Sequence, residues 1–424
     1  MNVYTITSSS KPILSIIQQH AEESAILHNI RSRQVFAPHI KLHHLRRIDD
    51  RIAAHLDGLS VAGEYGLKVC EEALENAGMG EVFTATVRAI EENDDAQLDR
   101  LFALGSAVSK LRPGLTSAFN WVSAQFLRGI GTKLLASTDS FKQYTGIDAC
   151  IAHRVDPGMV LTPLVCHEDV ILRTRAIRAA GEMAKRNLRS QCEQYLSDKD
   201  IDCRFWAAWS AVLLGNRANA VDVLKHFAQS MNPFQQHALQ LVLKVICMAE
   251  AHDLLKKLAV DSANIRNLIL GAGITGDPYY IPWLIKQMED PKLSRLAGES
   301  FSFITGLDLA YLDLERDAPE GIELGPNDDP ENNNVQMDED DNLPWPDSIK
   351  IQMWWNKNSV NFTKGERYFI GKPVSREHCI QILKEGFQRQ RIAAALYLRL
   401  LDAEMSIFPI IAPAWRQKRM SEKM

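Results

Sequence analysis

A helix-capping phrase recurs along the middle of the chain, and its period constrains the fold more than any other feature. Each copy begins with Asp or Asn and continues with small and apolar residues at helical spacing. A fixed period of this length is typical of a solenoid built from repeated helical units. Asp and Asn are favourable N-caps because their side-chain oxygens accept the unpaired N–H groups of the first turn. The anchors, which lie 29 to 32 residues apart, are Asp139, Asp169, Asp200, Asn232, Asp261 and Asp290.

An arginine follows four of these caps after four or five residues. This pattern favours a ladder of ion pairs, in which each arginine pairs with the aspartate of an adjacent unit and sets the stacking of the repeats. Contact between these arginines and a ligand is the alternative interpretation. The residues of the predicted ladder are Asp169, Arg173, Asp200, Arg204, Asp261, Arg266, Asp290 and Arg295.

The period predicts an all-α fold, a HEAT-like α-solenoid of stacked antiparallel helix pairs with an acidic loop insertion near residues 325–347. Small residues after each cap are expected to let neighbouring helices approach closely. The predicted segments are an N-terminal helix or arm (1–38), irregular helical repeats (39–138), regular HEAT-like repeats (139–310), an acidic linker rich in Pro, Asn and Asp (311–347) and a C-terminal helical repeat region in which the solenoid resumes (348–424).

Composition excludes several classes of function. The formal net charge of the 424 residues is −5, so the chain lacks the basic excess that phosphate binding requires, and binding to nucleic acid is not expected. No apolar run approaches the roughly 20 residues that span a bilayer, so no membrane segment is expected. The seven cysteines are scattered without a C-x-x-C pair, which favours reduced thiols. The first residues do not resemble a secretory signal, so a cytoplasmic location is expected.

Motifs that suggest chemistry at first sight are better explained by helix packing. His43 and His44 are adjacent on a predicted helix, where side chains point about 100° apart, so they do not readily share one metal ion. Trp206 and Trp209 share a helix face among alanines, which favours a core position over a stacking platform. A pairing of Cys166 with a nearby histidine lacks an orienting group. We therefore predict no catalytic residue, no metal site and no cofactor.

The stretch from residue 325 to 341 is polar and acidic and has no helical or strand periodicity. A solvated linker is the first interpretation, a loop that docks a partner is the second, and a divalent-cation site is the third. The cation site is disfavoured because the spacing of an EF-hand loop is absent. The candidate partner-binding residues of this region are Asp328, Asp329, Glu331, Asp338, Asp340 and Trp345.

Several phrases together carry a family resemblance: 53–63, 152–158, 203–215, 325–330, 343–347 and 388–395. They resemble an uncharacterised family of bacterial HEAT-repeat proteins, over about residues 40 to 417. That family is associated with gene neighbourhoods of type VI secretion effectors, beside PAAR-like tips and pentapeptide-repeat proteins. The resemblance implies a context rather than a reaction, because it brings no catalytic residues with it.

The solenoid and the resemblance together predict a non-enzymatic scaffold or adaptor that binds another protein. The resemblance implies that the partner is a secretion effector or a spike adaptor, held before export. A related interpretation is an immunity-like protein that binds a toxin. The alternative from a different class is an enzyme built on a HEAT-like solenoid, either of the bilin lyase type, which handles a tetrapyrrole, or one that modifies nucleic acid.

Overall fold

The computed structural model describes residues 13–322, 325, 331 and 338–424, and this part of the chain is predominantly helical. Its twenty-two α-helices and one hairpin of two-residue strands confirm the predicted all-α class. Within these ranges, no helix combines the length and the apolar character needed to cross a membrane.

The first eleven helices are α1 (Leu14–Gln34), α2 (Leu42–Val61), α3 (Glu64–Ala73), α4 (Met79–Glu91), α5 (Asp95–Ala107), α6 (Arg112–Trp121), α7 (Ile130–Leu135), α8 (Ser140–His153), α9 (Leu161–Leu164), α10 (Val170–Glu182) and α11 (Arg189–Glu193). The later elements are α12 (Ile201–Leu213), α13 (Asn219–Gln229), α14 (Gln235–Val245), α15 (Met248–Leu258), α16 (Ile265–Thr275), α17 (Ile281–Gln287), α18 (Ser294–Thr305), α19 (Ser348–Asn358), β1 (Tyr368–Phe369), β2 (Lys372–Pro373), α20 (Arg376–Glu385), α21 (Gln388–Leu401) and α22 (Ala414–Ser421).

The chain forms two compact units. Among the described residues, unit 1 contains those of 13–36, 42–161 and 411–419, and unit 2 contains those of 37–41, 162–410 and 420–424. Residues 139–161, the first part of the predicted regular repeats, belong to unit 1. Each unit also includes a short stretch that is distant in sequence from its main part.

Unit 1 is held together by an apolar core and by two buried arginines. Helix α1 packs against α2 and α4, and α4 packs against α6. The Arg31 guanidinium contacts the buried Asp49 carboxylate and donates to the carbonyl groups of Ile411 and Ala412. Arg416 donates to three consecutive carbonyls at the C-terminal end of α6. These contacts fix the stretch 411–419 in the unit.

The six anchors of the sequence period act as caps, as predicted. Each side chain accepts a backbone N–H at the start of a helix or of the helical turn that leads into one, at distances of 2.8 to 2.9 Å. The donors, in the order of their anchors, are Phe141, Ile171, Cys203, Phe234, Ala263 and Lys292.

In unit 2, helices from α10 to α18 pack mainly against the next helix or the next but one. The pairs α10 with α12, α12 with α13, α13 with α14, α14 with α16 and α16 with α18 are all in contact. Packing between sequence neighbours is the arrangement that repeat proteins use to bury a continuous core. Helix α19 extends it by packing against α17.

Small residues at equivalent repeat positions bring these helices close together. A Cβ atom at Gly181 would lie 2.8 Å from the Cα of Ser210, and one at Gly273 would lie 2.9 Å from the Cα of Ser300. Each glycine follows its capping aspartate by twelve residues, and each serine follows its cap by ten. The repeated phrase therefore encodes a repeated close contact, between α10 and α12 and again between α16 and α18.

The stretch 367–407, within the predicted C-terminal repeat region 348–424, crosses the C-terminal ends of the helices from α10 to α18. Arg399 donates to the Leu213 carbonyl of α12, and Arg367 donates to the Lys244 carbonyl of α14. Backbone N–H groups from the same stretch donate hydrogen bonds to carbonyl groups at the C-terminal ends of α10, α16 and α18. The last carbonyls of a helix have no partner within it, so each end needs such donors.

Gly276, the residue that follows α16, lies in close contact with the stretch 367–407. Its φ is +74°, and a Cβ atom there would lie 2.1 Å from the Tyr368 carbonyl oxygen. Gly321 has a φ of +76° but nothing within 4 Å of its Cβ position. We expect Gly321→Ala to lower the free energy of unfolding by about 1 kcal/mol, from backbone strain alone. Gly276→Ala should lower it by about 3 kcal/mol, because overlap with the crossing stretch adds to that strain. Urea denaturation of both variants measures the difference, and equal losses would contradict the close fit.

The buried ammonium group of Lys244 should make the free energy of unfolding depend on pH. Burial, together with the charge of Arg367, lowers the pKa of its ammonium group from 10.5 to about 7 in the folded chain. Between those values the unfolded chain holds a proton that the folded chain has released, so the free energy of unfolding rises with pH in that window. From pH 7 to pH 8.5 we expect this group to add about 1 to 2 kcal/mol.

The matched variants Lys244→Met and Lys286→Met separate this effect from other titrations, because Lys286 is exposed. Urea denaturation at the two pH values should give a rise for the wild type and for Lys286→Met and a smaller one for Lys244→Met. A rise of the same size in both variants would show that Lys244 titrates normally.

Candidate functional site

The first two arginines of the predicted ladder meet at one loop residue, Asp198. Arg173 reaches the Asp198 carboxylate at 3.5 Å and donates to the His167 carbonyl at 2.7 Å. Arg204, from the next repeat, donates to the Asp198 carbonyl. Asp198 lies two residues before the cap Asp200, so these arginines do join neighbouring repeats, but through the loop that precedes the cap.

The last two arginines bind the acidic stretch. Arg266 makes a two-pronged contact with both carboxylate oxygens of Asp340, at 2.7 and 3.1 Å, and its Nε lies 3.2 Å from Glu339. Arg295 donates to the Asp338 carboxylate and to the Asp340 carbonyl. We name these five residues, together with Trp345, the acid–arginine cluster. The Arg295 guanidinium also lies 4.7 Å from the centre of the Trp345 ring, which adds a cation–π contact.

The structure thus corrects the partners predicted for the ladder. The capping aspartates Asp169, Asp200, Asp261 and Asp290 direct carboxylate oxygens to N–H groups of their own helices. Among the described residues, Arg173 pairs with Asp198, Arg266 and Arg295 pair with the stretch 338–340, and Arg204 donates to the Asp198 carbonyl. The physical reason is the length and position of the side chains. A capping aspartate is short and accepts N–H groups of its own first turn. The longer arginine, four or five residues later, extends to other segments of the chain.

The structure also changes the interpretation of the acidic stretch. Asp328 and Asp329 lie outside the described residues, and Glu331 is exposed. The side chain of Asp338 is 17% exposed and that of Asp340 is 6% exposed, and Trp345 is buried. Three of the candidate partner-binding residues are therefore held within the chain's own fold. Composition indicated a solvated linker because it cannot show that arginines from the repeats will neutralise the carboxylates.

A cavity of about 330 Å³ lies next to this stretch in unit 2. Its walls come from residues 38–39, from the inner part of α18, from the loop 307–315, from residues 342–344 and from the start of α21. We name it the Glu299 cavity. Residues 342–344 lie between Asp340 and Trp345 of the acid–arginine cluster, so that cluster holds one wall of the cavity in place.

The polar groups of the Glu299 cavity are distinctive. The Glu299 side chain is 10% exposed, and its Oε2 lies 2.7 Å from Arg389 Nη1. Burial raises the pKa of this carboxyl group, and the charge of Arg389 opposes that rise. Burial also lowers the pKa of His39, whose enclosed Nδ1 has no hydrogen-bond partner among the described residues. Sequence reasoning missed this site because its members lie up to 350 residues apart and share no motif.

Two histidines in the middle of the chain, His153 and His167, have structural contacts, and His167 is adjacent in sequence to Cys166. His153 contacts the Phe119 carbonyl at 2.9 Å, and burial lowers the pKa of its imidazole to about 4. His167 accepts the backbone N–H of Asp169. Across the described ranges, no group of three or more His, Cys, Asp or Glu side chains is arranged to hold a metal ion.

The two tryptophans of α12 pack against the core of unit 2. Trp206 and Trp209 are both partly buried there, with ring centres 5.3 Å apart. The Arg178 guanidinium lies 4.1 Å from the Trp206 ring centre. These contacts agree with the predicted core position of the two rings.

Comparison with known protein families, with characterised proteins and with solved structures finds none that matches this chain.

A double-mutant cycle tests the acid–arginine cluster. Arg295→Ala and Asp338→Ala, made singly and together, should give a coupling energy of about 2 kcal/mol, because both side chains are largely buried. The control cycle uses Arg186→Ala and Glu404→Ala, an ion pair at 2.7 Å whose side chains are 60% and 74% exposed. Solvent screening should hold that coupling below about 1 kcal/mol. Urea denaturation measures both cycles, and equal couplings would mean that the acidic stretch is not anchored by Arg295.

Proposed function

We propose that this protein is a non-enzymatic scaffold that binds other proteins through its array of helical repeats. The observation that carries the proposal is the acid–arginine cluster. There, two arginines at equivalent repeat positions hold a short acidic stretch by a two-pronged ion pair, by a bond to a backbone carbonyl and by stacking on Trp345. Acidic peptides are recognised by arginine clusters in this way.

The repeated packing supports the same function. Helices that stack at a constant interval present side chains at a constant interval, which suits binding along an extended partner. The exposed apolar side chains near the starts of α10 and α12, Ile171 and Ile201, follow their caps by two residues and by one. A partner that lies along the starts of these helices would meet apolar groups at this spacing.

The kind of partner comes from the family resemblance. We propose that the scaffold holds a type VI secretion effector, or an adaptor of the secretion spike, in the cytoplasm before export. An immunity-like role, in which the bound protein is a toxin, uses the same binding surface and differs only in its consequence for the cell.

Coexpression with the effectors and spike adaptors encoded in the same gene neighbourhood tests this proposal. We expect one of them to copurify as a complex of defined stoichiometry with a dissociation constant of micromolar or below, measured by size-exclusion chromatography and calorimetry. Absence of a complex with every neighbouring product would overturn the proposal. A toxin-neutralisation assay on the complex then separates a loading role from an inhibitory one.

Glu331 provides a variant for the acidic stretch, because it is a candidate partner-binding residue that is exposed. We expect Glu331→Lys to weaken the complex by about threefold to tenfold, as charge reversal at the rim of an interface does. Glu320→Lys is the matched control, since Glu320 is also exposed and lies outside the stretch 325–341. Equal affinities would assign the binding surface to the helices alone.

A further inference from the structure

The Glu299 cavity has no part in the proposed scaffold function, and its chemistry points to a ligand of its own. We propose that it binds a primary ammonium group carried on an aliphatic or aromatic body, either a small amine or a lysine side chain. The inference rests on the cavity's size, its apolar walls, its charge and the acceptor oxygens of its carboxylates.

The size and the walls suit a small organic group. A volume of about 330 Å³ is at the lower end of the range for small-molecule sites, roughly 300 to 1,000 Å³. Phe303, Leu309, Leu343, Pro344 and Phe387 supply apolar surface. Such walls favour a ligand whose body is hydrocarbon.

The charges of the lining select a cation. Three carboxylates, those of Glu299, Asp308 and Glu315, line the cavity, against the single guanidinium of Arg389. Arg389 is already paired with Glu299, so the remaining two carboxylates give the cavity a negative potential. Low-dielectric walls strengthen that potential inside a cleft. An anionic ligand would be repelled, and a neutral one would gain nothing from it.

The hydrogen-bonding groups select a donor. The ionised carboxylates of Glu299, Asp308 and Glu315 are hydrogen-bond acceptors and carry no donor. Arg389 engages Glu299 at Oε2, and an ionised carboxylate offers about four acceptor positions in all. A primary ammonium carries three donors and no acceptor, which matches such a set.

The test is calorimetry on the full chain with hexylamine and phenethylamine, compared with hexanol, hexanoate and choline. We expect the two amines to bind with dissociation constants in the millimolar range or below. Hexanol, hexanoate and choline should bind at least tenfold more weakly, because they lack the charge, invert it, or lack the N–H donors. Equal binding of hexylamine and hexanol would overturn the proposal, since the cavity would then be a merely apolar space.

Variants locate the binding. Glu299→Gln keeps the shape of the side chain and should weaken hexylamine at least tenfold. Ala310 lines the cavity and is exposed, so Ala310→Trp should block hexylamine without disturbing the core. Ala318 is exposed, lies three residues beyond the loop 307–315 and does not line the cavity, so Ala318→Trp should bind as the wild type does. Binding that survives Ala310→Trp would place the amine elsewhere and refute the assignment.

A last comparison distinguishes the two sources of the ammonium group. N-acetyl-lysine amide and N-acetyl-norleucine amide differ only in that group, and we expect at least tenfold preference for the lysine derivative if a protein side chain is the natural ligand. Tighter binding of the free amines than of the lysine derivative assigns the cavity to a small amine. Failure of every ammonium compound to bind would refute the inference and leave the scaffold proposal intact, because the scaffold proposal depends on other residues.

Discussion

The free carbonyl groups at the ends of helices are the constraint on which unit 2 depends. A helix leaves its last carbonyl groups without partners. Carbonyl groups at the C-terminal ends of α10, α12, α14, α16 and α18 accept hydrogen bonds from the stretch 367–407. Those helix ends carry partial negative charge, so the guanidinium groups of Arg367 and Arg399 are favourable there for electrostatic reasons as well. The crossing stretch therefore completes the hydrogen bonding of the repeats and binds them to one another.

Unit 1 meets the same requirement with Arg416, which donates to the carbonyls that end α6. Burial lowers the pKa of both Arg399 and Arg416 to about 10, and each stays charged at neutral pH. An arginine is suited to this task because its planar group carries five donors and can serve several carbonyls at once. In both units, arginine side chains donate hydrogen bonds to carbonyl groups that would otherwise be buried without partners.

Sequence reasoning was most successful where the physics is local. The caps depend on bonds within one helical turn, so the period of Asp and Asn was sufficient to locate all six, from Asp139 to Asp290. The close approach of helices at Gly181 followed from the same period, which places small residues after each cap. The partners of Arg266 and Arg295 were not predictable, because they lie more than forty residues away in a stretch whose composition resembles a linker. The Glu299 cavity could not be predicted from the sequence for a related reason. Its lining comes from five separate stretches, and none of them carries a motif.

The crossing stretch has a consequence for how the protein is made. The bond between the Glu182 carbonyl and the N–H of Ile407 joins residues more than two hundred positions apart. Contacts of such high sequence separation form late, since a long loop must close before they contribute. During synthesis the repeats from α10 onward emerge from the ribosome well before their helix ends can be covered. We expect the nascent chain to be an incompletely protected intermediate until residue 407 has emerged, and so to be a substrate for chaperones over that interval.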